Sequence, residues 1–142
     1  MNNTATNAAD LTGRVLISIL FLVAGFGKIA GYAGTQGYMA AMGVPGALLP
    51  FVIALEIGGG LAIVAGYRTR LVAAALAAFT IVAGVIFHAG QADMMQQLMF
   101  QKNLAIAGGF LFLVARGAGD WSLDAWRSNV RSRVGSAVHA RS

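Results

Sequence analysis

The sequence predicts an all-α fold, a bundle of four transmembrane helices that form one membrane domain. Of the 142 residues, 58% are hydrophobic and only 11% are charged. Soluble domains carry about 25% charged residues, so this chain lacks the polar surface that water requires. Four apolar segments also approach the roughly 20 residues that a helix needs to cross a bilayer. These predicted spans are residues 11–31, 47–66, 71–89 and 99–116.

The first span is predicted to stay in the mature protein. Residues 1–10 are polar and contain no Lys or Arg, and the apolar run after Arg14 has no Ala-x-Ala cleavage site. A cleaved signal peptide is the alternative. Residues 32–46 are too interrupted by glycine to span, and they predict a short interfacial helix that ends at Gly43 and Pro45.

The remaining connections are short and polar. The segment Tyr67-Arg68-Thr69-Arg70 predicts a tight turn that joins spans two and three as an antiparallel hairpin, and residues 91–97 predict a second polar loop. Residues 118–142 predict a basic amphipathic tail, with Ser122 as a helix cap and Asp124 in the first turn. Such a helix is expected to lie on the anionic cytoplasmic leaflet, although a solvated tail beyond Arg133 stays the alternative.

The basic residues predict the orientation in the membrane. Lys28 and Lys102 fall on one side of a four-span arrangement, and the arginines fall on the other. Because basic residues concentrate in cytoplasmic loops, both termini are expected to be cytoplasmic. This distribution also explains the net charge of +5 without nucleic acid. The arginines are Arg14, Arg68, Arg70, Arg116, Arg127, Arg131, Arg133 and Arg141.

Glycines within the spans predict close packing between helices. Small residues let helix backbones approach where lipid supplies no hydrophobic driving force. The predicted packing positions are Gly25, Gly58, Gly59, Gly60, Gly84, Gly108 and Gly109.

Glu56 is the only glutamate in the chain and lies in the middle of an otherwise apolar span. A carboxylate at that depth costs several kcal/mol unless it is paired, hydrated or protonated. Helix rise places Lys28 and Lys102 about 21 Å above the arginines, Glu56 about 18 Å and His88 about 27 Å. The predicted intramembrane polar cluster therefore comprises Lys28, Glu56, His88, Lys102 and Asn103.

A structural interpretation of these residues stays open. Lys28 and Lys102 are near span ends and could reach the headgroups, and a Glu56–Lys pair could simply fix helix register. The chain has no cysteine and only two histidines, His88 and His139, which excludes thiolate metal sites and intramembrane bis-histidine haem. No metal site and no self-contained hydrolase is predicted, and catalytic residues stay unknown.

The sequence resembles the DoxX family of small four-span bacterial membrane proteins from about Arg14 to Trp126. The likeness is carried by the segments Gly25-Phe26-Gly27-Lys28, Gly43-Val44-Pro45, Glu56-Ile57-Gly58-Gly59-Gly60, Gly66-Tyr67-Arg68-Thr69-Arg70, by His88, and by residues 100–109 and 120–124. Asp120 departs from the pattern, in which a basic residue precedes Trp-Ser-Leu-Asp. The family name is shared with a membrane subunit of a thiosulfate:quinone oxidoreductase, and most members have no established activity.

The resemblance and the polar cluster together suggest a bacterial inner-membrane subunit of a redox system that handles quinone or a small anion. The chain carries no redox cofactor motif, so electrons would come from a redox partner protein or a bound quinone. Whether it is an enzyme subunit stays open. The alternatives are a non-enzymatic assembly or anchoring module and a small-solute transporter, and a homo-oligomer is compatible with either.

Overall fold

The computed structural model describes residues 3–139, and within that range it is helical without strands. The helices are α1 (Asn3–Ala30), α2 (Tyr32–Ala41), α3 (Leu49–Ala65), α4 (Thr69–His88), α5 (Met94–Arg116) and α6 (Leu123–His139), with a 3-10 turn at Gly46–Leu48 before α3. Four of them, α1, α3 with its preceding turn, α4 and α5, are long and apolar enough to cross a membrane. The predicted four-span all-α fold is confirmed. Arg141 lies outside the described residues.

The helices extend further than their apolar composition predicts. Residues 3–10, expected as a separate polar segment, form the first turns of α1, where Asn7 donates a hydrogen bond of 3.3 Å to Asp120. Helix α5 starts at Met94, so most of the predicted polar loop 91–97 is helical. Asp93 explains this start because its carboxylate accepts the backbone N–H of Gln96 and so satisfies a first-turn donor.

The helices form two antiparallel pairs. Helix α1 packs against α3 and α4 packs against α5, while α3 contacts α4 and so joins the two pairs. The pairs share an apolar core in which the rings of Phe21 and Phe110 meet edge to face, with centroids 5.2 Å apart. Its other buried members are Ile63, Ala73, Leu76 and Ala77. The remaining large apolar side chains of the spans mostly face outward, as lipid contact requires.

Five of the seven predicted glycines lie at close helix contacts. A Cβ on Gly25 would lie 2.6 Å from Ile57 Cγ1, which is closer than two carbon atoms approach. The neighbours of the other four are Leu76 for Gly59, Leu22 for Gly60, Asn103 for Gly84 and Ile17 for Gly109. The prediction is wrong for Gly58 and Gly108, where an added Cβ would meet nothing within 4 Å in this chain.

Candidate functional site

One row of side chains along α1 begins at the cation Arg14 and ends at the cation Lys28. The buried residues of this helix are Arg14, Ser18, Phe21 and Gly25, and helical spacing adds Lys28 to the same row. Helix α3 lies along this row and meets both cations. We call the surroundings of Arg14 the arginine end and the surroundings of Lys28 the lysine end.

At the lysine end, Glu56 and Lys28 form an ion pair. Lys28 Nζ lies 2.8 Å from Glu56 Oε1, and the side chain of Lys28 is 27% exposed while Glu56 is buried. Gly25 makes this approach possible, because a Cβ at that position would lie 3.3 Å from Glu56 Cβ and would also clash with Ile57. Glu56 Oε2 is buried and has no hydrogen-bond partner within residues 3–139. Half of the carboxylate is therefore left unsatisfied.

A cavity of about 540 Å³ adjoins this carboxylate and lies between α1, α3, α4 and α5. All five residues of the predicted polar cluster line it: Lys28, Glu56, His88, Lys102 and Asn103. The rest of the lining is mainly aliphatic and aromatic, with rings from Phe21, Phe79 and Phe87. The structure thus places the five residues around one space, although only Lys28 and Glu56 contact each other directly. Whether they act on a ligand stays a prediction.

Helix α2 closes one side of the cavity. Thr35, Tyr38 and Met39 line it, and the Tyr38 ring stacks on Phe87 of α4 with centroids 5.3 Å apart. The predicted short helix after the first span is confirmed, with Gly43 adopting φ 77° beyond its end. The sequence did not indicate that this helix would contact the cavity.

The other polar residues of the cavity differ in how they are held. The ring of His88 shares a 2.6 Å hydrogen bond between Nδ1 and Gln96 Oε1, so the first turn of α5 orients the imidazole. Lys102 makes no ion pair with any carboxylate of the described chain. Thr80 is buried, lines the cavity and has an unpartnered hydroxyl. The cluster predicted from sequence did not include Thr80 or Gln96.

At the arginine end, backbone carbonyls accept from the terminal nitrogens of the guanidinium, while Arg14 Nε is buried without a partner in residues 3–139. Arg14 was expected at the membrane interface, but it is fully buried. Its guanidinium donates to the carbonyls of Ile63 at 3.2 Å and Val64 at 2.7 Å, at the carboxyl end of α3, and to that of Trp121 at 2.5 Å. A guanidinium has donors pointing in several directions, so it can join three carbonyls from two segments. Arg14 ties the segment before α6 to the α1–α3 pair.

Asp124 lies in the first turn of α6, as predicted, and it also binds a second helix. Its two carboxylate oxygens accept the backbone N–H groups of Arg68 and Thr69, both at 2.8 Å, and so cap the start of α4. Partial burial alone would raise the pKa of Asp124, but hydrogen bonds from Thr69 and Arg68 and the charge of Arg127 hold that pKa below its ordinary value of 3.8. Ser122 fills the predicted capping role for α6, since its hydroxyl accepts the N–H of Ala125.

Among residues 3–139, no group of three His, Asp or Glu side chains is arranged to hold a metal ion. The DoxX family model matches residues 9–89 of the sequence. The chain belongs to the DoxX family. Lys28, Glu56 and His88 fall within the matched residues, whereas Lys102 and Asn103 lie beyond them.

Three relatives extend the comparison. The chain is 55% identical to "Inner membrane protein YqjF" of Escherichia coli (strain K12), over 80% of this chain and 88% of that protein. It is 36% identical to "Inner membrane protein YphA" of the same strain, over 80% and 86%. It is 29% identical to "Putative oxidoreductase CatD" of Bacillus subtilis (strain 168), over 78% and 82%. No solved structure matches the chain.

In this DoxX protein, the motif segments separate into two groups. The segment that ends in Lys28 and the one that begins at Glu56 meet at the lysine end, beside the cavity. The turn that begins at Gly66 and the segment Asp120–Asp124 meet at the arginine end, where the Asp124 N–H donates to the Gly66 carbonyl at 2.9 Å. Gly66 also needs its left-handed φ of 67° to let the chain turn there. The second group therefore joins the turn between α3 and α4 to the start of α6.

Proposed function

We propose that this protein is a bacterial inner-membrane component of a redox system, and that its cavity binds the ring of a quinone. The names of two relatives place those proteins in the inner membrane, and the name of a third describes an oxidoreductase. Those names support the location and the reaction class. The support for the ligand comes from the residues of the cavity.

One observation carries the proposal: Glu56 Oε2 is buried, unpartnered and beside a cavity large enough for a ligand. Buried polar atoms in native proteins nearly always have a partner, and exceptions often mark functional sites. Ionisable groups inside the membrane are also functional by default. A ligand atom beside Oε2 would supply the missing partner.

The mainly apolar lining favours a ring compound that dissolves in the bilayer. Binding cavities for such ligands measure roughly 300–1,000 Å³ and combine an apolar lining with a few polar groups that fix orientation. Here the rings of Phe21, Phe79 and Phe87 supply the apolar surface, and Lys28 and Lys102 supply donors. These residues fit the ring and the carbonyl oxygens of a quinone.

A bound quinone supplies two-electron and two-proton chemistry, and the electrons come from a redox partner protein. Lys102, which has no carboxylate partner in the described part of the chain, donates to a carbonyl oxygen and orients the ring. Glu56 Oε2 exchanges a proton with the ligand, and Lys28 balances the charge of the carboxylate. His88, held by Gln96, connects the cavity to the end of α4 and passes protons there.

A small anion is the second candidate ligand, because the cavity has two lysines and only one glutamate. Its net charge is +1 when Glu56 is ionised, which favours a monoanion. The apolar lining is the reason to prefer the quinone.

The test is binding of decylubiquinone to the purified protein in lipid nanodiscs, with E56Q and K102M as variants. E56Q keeps the shape of the side chain and removes its charge, and K102M keeps an unbranched side chain of similar length and removes the ammonium group. We expect about tenfold weaker binding for each, since a hydrogen bond to a charged group contributes about 1.5–3 kcal/mol. D120N is the matched control, because Asp120 is an exposed carboxylate at the arginine end.

Equal binding by wild type, E56Q and K102M would disprove the quinone site. If chloride or sulfite instead displaces a bound monoanion in a Lys102-dependent way, the second candidate is correct. Solute flux in proteoliposomes that depends on Glu56, without quinone binding, would show that the protein is a small-solute transporter.

A further inference from the structure

A second concave site lies at the arginine end, away from the proposed quinone cavity. It is a groove of about 680 Å³ between the first turn of α4, the last turn of α5 and the start of α6. Arg68 from the turn before α4, Arg70 from α4 and Arg116 from α5 line it, together with the hydroxyl-bearing Ser122 and Ser128. Three cations thus converge on one surface from a turn and two helices.

The charge of this groove is not balanced by the protein. Asp124 is the one carboxylate in its lining, and both of its oxygens already accept the N–H groups of Arg68 and Thr69. Throughout residues 3–139, no carboxylate lies within ion-pair distance of the Arg68, Arg70 or Arg116 side chains. Counting Asp124 as ionised, the groove carries a net charge of +2, so it selects anions.

The walls of the groove are held in place by the contacts of the arginine end. Asp124 fixes the start of α6 to the start of α4, and Arg14 fixes the segment before α6 to the end of α3. Fixed walls keep the backbone positions of Arg68, Arg70 and Arg116 at a constant spacing. Guanidinium groups bind phosphate oxygens bidentately, so a phosphate group is the anion that suits them best.

The residues around the groove favour a lipid headgroup over a soluble anion. Leu71 lines the groove and is 65% exposed, and it begins the outward-facing apolar surface of α4. Trp121 and Trp126 are exposed near the same end of the bundle, where amphipathic rings favour the membrane–water interface. An anion bound at Leu71 would therefore have acyl chains running along α4 into the bilayer.

We infer that the groove binds the phosphate headgroup of an anionic phospholipid, with Arg68, Arg70 and Arg116 as its ligands. The test uses the purified full-length protein titrated with dioleoylphosphatidylglycerol or dioleoylphosphatidylcholine, and native mass spectrometry counts the bound lipids. The groove variant is R68N/R70Q/R116Q. Asn is chosen at position 68 because the backbone there has φ 45°, which Asn tolerates.

The control is R131Q/R133Q, which removes two charges from α6 outside the groove, and the double groove variant R70Q/R116Q removes the same number from the groove lining. We expect the groove variant to bind phosphatidylglycerol about tenfold or more weakly, because the headgroup phosphate would lose its three charge-assisted guanidinium contacts. The control should bind within about twofold of wild type, and phosphatidylcholine should bind weakly to all of these proteins. Thermal unfolding identifies any loss of fold, and the single variant R116Q, whose backbone is not at the turn, repeats the measurement.

Equal losses in the double groove variant and the control would overturn the proposal, because they would show only a general attraction of charge. Unchanged binding in the groove variant would overturn it as well. Displacement of the lipid by millimolar inorganic phosphate would assign the groove to a soluble phosphate anion instead. Failure of the lipid proposal would not affect the quinone proposal, since no residue is shared between the two sites.

Discussion

The arginine end and the lysine end of the α1–α3 pair each hold a cation of α1 against α3, but they differ in its burial and its partners. Arg14 donates to three backbone carbonyls and is enclosed by the chain. Lys28 pairs with one oxygen of Glu56 and leaves the other oxygen beside a cavity. Each end leaves one buried polar atom without a partner in residues 3–139, Arg14 Nε and Glu56 Oε2, but Glu56 adjoins a cavity in which a ligand can supply the partner, whereas Arg14 lines neither of the two cavities described above. The comparison separates a structural role from a functional one.

The largest effect is expected from Arg14→Met. The substitution leaves three carbonyls without their charged donor, and at about 1.5–3 kcal/mol per bond the loss is roughly 5 kcal/mol of unfolding free energy. The measurement is thermal unfolding of the detergent-purified protein and its level in the membrane. Arg131→Met, on an exposed arginine, is the control and should be neutral. If the R14M protein were as stable as wild type, the contacts of the arginine end would not stabilise the fold.

A double-substitution cycle at Lys28 and Glu56 should give a smaller and reversible effect. Lys28→Met leaves a buried carboxylate unpaired and costs about 3 kcal/mol, whereas adding Glu56→Gln to it restores most of the stability. Decylubiquinone binding should stay lost in the double variant. Recovery of both stability and binding would show that the pair has no part in the site.

The two glycines Gly25 and Gly58 provide a matched pair on neighbouring helices. Gly25→Ala forces a Cβ against Ile57 and should destabilise the protein by about 1–3 kcal/mol, as overpacking does. Gly58→Ala has open space and should be neutral or stabilising by up to about 1 kcal/mol. Equal melting temperatures for the two variants would contradict the helix contact at Gly25.

The smallest effect is expected from Asp124→Asn, which weakens the cap of α4 by about 1 kcal/mol at neutral pH. The pKa of Asp124 is lower in the folded protein than its ordinary value of 3.8. Its contribution is therefore complete above that pH and is lost as the pH falls through the folded-state pKa. Melting temperatures of wild type and D124N should differ at neutral pH and converge in acid. A gap that persists in acid would show that the carboxylate charge is not what stabilises the cap.

Much of the site follows from sequence, because helix geometry fixes the depth of a residue. Rise per residue put Lys28, Glu56 and Lys102 at similar depths, and all three line one cavity. Composition does not show which small residues face a neighbouring helix. The sequence therefore predicted helix contacts at Gly58 and Gly108 as well as at Gly25, and only Gly25 of these three makes one. Gln96 and Thr80 were missed because neither is costly enough in a membrane to attract notice.

The sequence by itself determined the number of spans and the family, and it predicted the relative heights of the ionisable groups along the helices. These depend on apolar length and on helix rise, which are local properties. Only the tertiary structure decided the partners of Arg14 and Asp124, because each binds a backbone group at least 49 positions away in the chain. Backbone groups are identical in every residue, so no side-chain pattern in the sequence identifies which of them a buried charge will reach.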